Sequence, residues 1–207
     1  LVLDVSRSTG WRGSEGRLTK FGYAVRLAAA LGLILLRQRD ATGLIAFDDD
    51  VRATLPPKAR AGQWHLLAAT LQALAPGGGT AADDALRRVT DLLRRRGMVV
   101  FVSDLLVDRE LVLTALRYLR HRGHAVTVLH VMDPAELELV ATGEARFVDP
   151  ETGEGVVAAP RDLGPDYRAT VERVVRAWRR ACRSSGIGYH HVTTTTPFGH
   201  ALRRAAS

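Results

Sequence analysis

The chain has 207 residues, 46% hydrophobic, 25% charged and only 6% aromatic, the make-up of a globular protein with room for one sizeable core. A single cysteine, Cys182, excludes a disulfide framework and a cysteine-rich zinc site, and the longest apolar run, Leu27 to Leu36, falls short of the roughly 20 residues a membrane-spanning helix needs. The formal charge of +7 points toward polyanions, yet of 29 basic residues only Lys20 and Lys58 are lysine, which fits a compositional arginine bias. No platform of interleaved basic and aromatic residues of the kind that stacks bases is visible, so nucleic acid is not the expected ligand.

The chain opens inside a strand without an initiator Met or leader, and is expected to be a segment of a longer protein that lacks its N-terminal region. Leu1 to Asp4 reads as a buried parallel strand ending in an acid. A loop rich in Gly, Ser and Thr follows, then a helix over Lys20 to Arg39 with a polar close. Gly43 to Phe47 is a second buried strand, Asp48 to Asp50 a turn, and Val51 to Leu55 a returning edge strand that Pro56 and Pro57 are expected to stop. Gly62 to Leu74 is helical and runs into Pro76-Gly77-Gly78-Gly79, a loop signal. Ala81 to Arg96 is a helix with Asp83 and Asp84 in its first turn and Arg94 to Arg96 in its last, a distribution that suits the macrodipole. Met98 to Ser103 is a strand closed by Asp104, Arg109 to Arg122 a helix, Ala125 to Val131 a strand, and Asp133-Pro134 a break.

From about 136 to 160 the rhythm changes to polar alternation around Gly143 and Asp149 to Gly153, the pattern of an inserted antiparallel β-ribbon. A long helix over about Pro165 to Ser185, a strand from Gly188 to Thr194 and a closing helix after Pro197 complete the chain. The expected fold is therefore α/β: an open, mostly parallel sheet with helices on both faces, one antiparallel edge strand and the ribbon, all in one domain over 1–207. Ligands of such sheets bind beyond the carboxyl ends of the strands, where the strand order reverses.

Three places meet that rule. Asp4, Ser6 and Ser8 alternate on the turn after the first strand, so their oxygens can face one point. Thr80 follows the glycines at a helix start, and Ser103-Asp104 closes the Met98 strand. Hard oxygen donors suit Mg²⁺, or Mn²⁺ or Ca²⁺, and not zinc or copper. An ion held by so few charges stays electrophilic and has room for a carboxylate from outside, which is a binding mechanism and not a reaction.

The order Asp-x-Ser-x-Ser, a lone Thr after a Gly-rich loop, and Ser-Asp at a strand end resembles the metal-ion-dependent adhesion site of von Willebrand factor A domains. More narrowly, Gly43 to Asp48, Leu55-Pro56-Pro57, Gly77 to Thr80, Val102 to Leu106, Leu129 to Glu136 and Phe147 to Gly153 resemble the bacterial family of domain of unknown function 58, and the likeness covers essentially the whole chain. The resemblance implies Asp4, Ser6, Ser8, Thr80 and Asp104 as the metal set. It implies a cytoplasmic, non-enzymatic adaptor or chaperone-like partner of a MoxR-type AAA+ ATPase, with the ATPase or its client supplying the carboxylate and no membrane contact from this segment. One departure is Thr9 to Gly16, where Trp11 and Arg12 crowd the metal loop.

Two rival classes stand beside this reading. A metal-dependent phosphoryl-transfer enzyme would use Asp4 as nucleophile, but Ser6 stands where a second acid is usual and neither lysine lies at a strand end. A basic nucleic-acid-binding domain would use the arginines of the long helix, Arg168 to Arg183, which otherwise form a solvated or partner-facing surface. The Gly-rich loop lacks the Gly-Lys-Ser/Thr of a phosphate cradle. Among the histidines, His190 and His191 must point to opposite faces of their strand, His130 reads as a satisfied core residue, and His121 and His124 read as surface residues. Asp83 is a helix cap that stands close enough to Thr80 to order a metal shell through water.

Overall fold

In the computed structural model, residues 1–78, 82–137, 145–148, 155–158 and 160–205 are described. Eight strands and seven helices follow in chain order: β1 (Val2–Asp4), α1 (Lys20–Arg37), β2 (Thr42–Phe47), β3 (Val51–Lys58), α2 (Gln63–Ala73), α3 (Ala82–Leu92), β4 (Met98–Ser103), α4 (Arg109–His121), β5 (Ala125–Met132), α5 (Pro134–Leu137), β6 (Ala145–Val148), β7 (Gly155–Ala158), α6 (Pro160–Ser184), β8 (Gly188–Thr193) and α7 (Phe198–Ala205). Six strands form one sheet in the order β3-β2-β1-β4-β5-β8, and β6 and β7 form a separate antiparallel ribbon. Every neighbouring pair of the large sheet is parallel except β2 with β3. The expected sheet, edge strand and ribbon are thus present.

Strand alternation sorts the core into two layers. Val2, Ile45, Phe47, Val99, Phe101, Val126 and Val128 face α3, α4 and α6, where Leu86, Val112, Leu116, Trp178 and Cys182 meet them. Leu3, Val5, Leu44, Ala46, Val100, Val102, Leu129 and Val131 face the other way, onto Tyr23, Leu27, Leu67, Leu71 and Ala201 of α1, α2 and α7. Both faces being covered explains why these strands read as continuous apolar runs. Local signals set the helix starts: Thr19 Oγ1 accepts from Gly22 N at 2.9 Å to open α1, and Asp108 Oδ1 accepts from Leu111 N at 2.9 Å to open α4.

Three boundaries differ from the sequence expectation. β3 does not stop at Leu55 but continues through Pro56 and Pro57 to Lys58. It lies at the sheet edge, where a missing N–H costs no ladder bond, and the register slips there: Thr42 pairs with Lys58 and Leu44 with Leu55, so β3 carries one extra residue. Gly43 sits under that bulge, where a Cβ would stand 2.4 Å from Leu55 O and 2.6 Å from Pro57 N. The buried Gln63 donates through Nε2 to Thr42 O and Pro56 O, both at 2.9 Å, and ties the bulge to α2. α3 ends at Leu92, so Arg94 to Arg96 belong to the connection into β4; the arginines have no apolar face to hold another turn. α6 begins at Pro160, five residues before the expected start, because proline is tolerated in a first turn where its N–H has no partner to lose.

β1 is the switch point of the sheet. From β1 the chain crosses α1 to β2 on one side, and after β3, α2 and α3 it returns to β4 on the other. The carboxyl ends of β1 and β4 therefore flank the crevice that this topology creates.

Candidate cation site at the switch point

Register brings the predicted residues together. Leu3 is opposite Val102, so Asp4 and Ser103 point to the same side at the ends of adjacent parallel strands. Ser103 Oγ donates to Asp4 Oδ2 at 2.5 Å, and Ser6 N donates to Asp4 Oδ1 at 2.9 Å. After Asp4 the chain enters a short 3₁₀ turn, Arg7–Gly10, which places the Ser6 and Ser8 hydroxyls 3.2 Å apart. Asp4, Ser6, Ser8, Ser103 and Asp104 are all buried. Gly77 N donates to Val5 O at 2.9 Å and the Pro76–Gly78 segment pairs beside Ser6, so the Gly-rich loop is held against this turn. The fifth predicted ligand, Thr80, lies outside the described residues.

Asp4 has no cationic side chain within ion-pair distance among the described residues. Burial, and then the negative charge of Asp104, push its carboxyl up from 3.8 to about 6 against the hydrogen bonds from Ser103 and Ser6. A buried carboxylate held by hydroxyls and one backbone N–H, with a hydroxyl pair beside it, is a donor set in want of positive charge. Hydroxyl and carboxylate oxygens fit a hard divalent ion.

Asp104 is placed differently. It turns toward α1, where Lys20 Nζ stands 2.8 Å from Asp104 Oδ2 and 2.6 Å from Glu136 Oε1. The contact with Glu136 has hydrogen-bond geometry. That with Asp104 is a close buried ion pair. Burial alone would lower the Lys20 ammonium, but the Asp104 and Glu136 charges prevail and raise it. Glu136 also accepts from Asp133 N at 2.7 Å, and so closes the start of α5 onto the end of β5.

This lysine corrects the sequence reading, which found no lysine at a strand end. Lys20 opens a helix, yet its side chain reaches the end of β4. Its rarity was the available signal, since a chain that otherwise uses arginine keeps a lysine at the mouth of an apolar helix. Glu136 fell inside a recognised segment but was given no role. His130 is satisfied as expected: Tyr189 Oη lies 2.7 Å from Nδ1 and Asp104 O lies 3.0 Å from Nε2. The carbonyl can only accept, so Nε2 carries the hydrogen and Nδ1 accepts from the tyrosine.

Other expectations fare variously. His124 is buried, with Nε2 3.1 Å from Leu93 O, and is not a surface residue. Asp83 is exposed and lies 3.5 Å from Arg87. Asp48 and Asp49 are clamped by Arg52 at 2.6 Å and Asp50 by Arg88 at 2.8 Å, so each acid of that turn has an arginine beside it. On α6, Arg168 and Arg176 flank Glu172 at 3.7 and 3.0 Å. Trp11 is 42% exposed, with Lys20 Nζ 5.9 Å from its ring centre, and so forms part of the rim. No group of three or more His, Cys, Asp or Glu side chains gathers as a metal cluster among the described residues, so any ion here would rest on hydroxyls as much as on acids. A groove of about 860 Å³ between α3 and α4, lined by Leu86, Thr90, Leu111 and Tyr118, is separate from this cluster.

Residues 1–180 match the family described as "Protein of unknown function DUF58", and the chain belongs to that family. Uncharacterized proteins of Mycobacterium tuberculosis and Mycobacterium bovis are 29% identical over 185 residues, which cover 86% of this chain and 55% of theirs. The chain thus spans about half the length of these curated relatives. Among solved structures, the conserved hypothetical protein BatB from Bacteroides thetaiotaomicron shares the fold with 17% identity and a TM-score of 0.58, over all of this chain and 97% of that one. An aerotolerance-related membrane protein from Bacteroides fragilis, bearing multiple mutations to serine, shares it with 19% identity and a TM-score of 0.61, over 99% and 94%. Among the described residues of this chain, no helix is long and apolar enough to cross a membrane.

Proposed function

We propose that the chain is a von Willebrand factor A-like module that binds a protein partner through a divalent cation, Mg²⁺ by preference, held at Asp4, Ser6 and Ser8. The observation that carries this reading is the Asp4 carboxylate: fully buried, without an ion-pair partner among the described residues, and beside a hydroxyl pair at the switch point of a parallel sheet. Asp4 supplies the charge and Ser6 and Ser8 neutral oxygens, Ser103 orients Asp4, and Asp104 stands behind as a second acid. Thr80 completes the proposed set from the loop that leaves Gly77. When bound, the ion supplies an electrophilic position that a partner's carboxylate can take.

The partner in this proposal is a AAA+ ATPase of the MoxR type or its client, and the module acts as its adaptor in the cytoplasm. The rim formed by Trp11 and by Leu106, which is 53% exposed, gives such a partner apolar surface beside the ion. Calorimetric titration of Mg²⁺ and Mn²⁺ into the wild type and into Asp4→Ala tests the reading. Saturable binding to the wild type alone, with a rise in Tm on loading, is the expected result. Absence of binding to the wild type refutes it.

Lys20 gives the phosphoryl-transfer alternative one observation in its favour, since the positive charge that the sequence withheld is in place beside Asp104. Hydrolysis of a generic phosphate ester by the wild type, lost in Asp4→Asn, would establish it over the binding role.

A further inference from the structure

Among the described residues, Lys20 is the one cationic side chain within ion-pair distance of Asp104 and Glu136, and its position has a consequence for any ion bound there. Its side chain is 2% exposed, and its ammonium is shared between two carboxylates that come from different strand ends, Asp104 after β4 and Glu136 after β5. The two contacts are unequal. Glu136 Oε1 takes the shorter contact, a hydrogen bond at 2.6 Å, and Asp104 Oδ2 the longer one, at 2.8 Å. Lys20 is thus shared between the two acids, with the shorter contact to Glu136.

We infer that Lys20 is a resident competitor for Asp104, an internal ammonium that limits how tightly the site holds its divalent ion and keeps the bound ion exchangeable. The inference rests on the cation-site reading above. Asp104 and Glu136 share the one Lys20 charge, and Asp4 has no cationic partner among the described residues, so negative charge is left over for an ion to meet. Without Lys20 the cluster would carry a further uncompensated charge in a buried setting where Coulomb energies are several-fold larger than in water. Such a site would hold its ion as a structural element. With Lys20, a divalent ion must share Asp104, which leaves the ion more electrophilic and easier to release.

The test uses the full chain, with Mn²⁺ and Mg²⁺ as probes in calorimetry and Tm measured with and without chelator. Lys20→Met is expected to bind Mn²⁺ at least about tenfold more tightly than the wild type and to gain more Tm on loading. Glu136→Gln, which leaves the ammonium to Asp104 alone, is expected to bind more weakly. The double variant Lys20→Met with Glu136→Gln keeps the wild-type net charge and avoids two orphaned acids, so it remains informative if Lys20→Met fails to fold. It is expected to bind more tightly than the wild type. If the wild type binds and neither lysine variant binds more tightly, the competitor role is overturned while the cation site stands. If no form binds either ion, both fall together.

Discussion

Cys182 and Asp4 show how differently one scaffold treats two buried reactive groups. Cys182 is fully buried on α6, and burial pushes its thiol up from 9.0 to about 11. The thiol therefore stays protonated and out of reach at neutral pH. A thiol reagent at pH 8 is expected to leave the native protein unmodified and to label it at once in denaturant; rapid labelling of the native chain would contradict this placement. Asp4, equally buried, sits at a strand end where hydrogen bonds from Ser103 and Ser6 relieve part of its cost of burial, and a cation or a proton would relieve the rest. Much of this was legible, because Asp4, Ser6, Ser8 and Asp104 recur at spacings that a strand end and its turn bring together. Lys20 and Glu136 were not legible as partners. Sequence separation of 116 residues between them hides a contact that only the parallel order of β1, β4 and β5 creates.

At the scale of elements, the β2–β3 hairpin is the place where local rules yield to context. Two consecutive prolines argue for the end of a strand, and in a central strand they would end it. At an edge they are accommodated by a bulge, with Gly43 giving the room and Gln63 binding the carbonyls. Gly43→Ala is expected to destabilise the fold by about 1–3 kcal/mol, because its Cβ would press on backbone and not on a side chain that can turn aside. Urea unfolding measures this, and an unchanged midpoint would show that the bulge is free to relax. The helices were better signposted, since Thr19 and Asp108 are cap residues whose chemistry does not depend on distant parts of the chain. The end of α3 was misjudged because charge placement along a helix is a weak constraint on where it stops, and the start of α6 because a proline can open a helix as well as precede one.

For the whole molecule, stability against pH sums opposing groups. His130 is lowered from 6.5 to about 3, chiefly by burial and then by His191, so the unfolded chain takes up a proton that the folded chain refuses, and stability falls as pH drops below 6.5. Asp4 acts in the opposite sense. Its folded value near 6 lies above the ordinary 3.8, so the folded state takes up the proton first and gains stability as pH falls from 6 toward 4. Two units correspond to about 3 kcal/mol. In chelator, Asp4→Asn is therefore expected to exceed the wild type in stability at pH 7 by an amount that shrinks toward zero near pH 4. Denaturant unfolding at several pH values reads this difference directly. A difference independent of pH would mean that Asp4 is not held as a buried charge.

The paired prolines of β3 also decide how this molecule can be approached. An exposed strand edge offers a ladder of N–H and C=O groups to any extended chain, and Pro56 and Pro57 interrupt the donors of β3 while the bulge breaks its regular register. Extension of the sheet by a neighbour's strand along β3 is thereby discouraged.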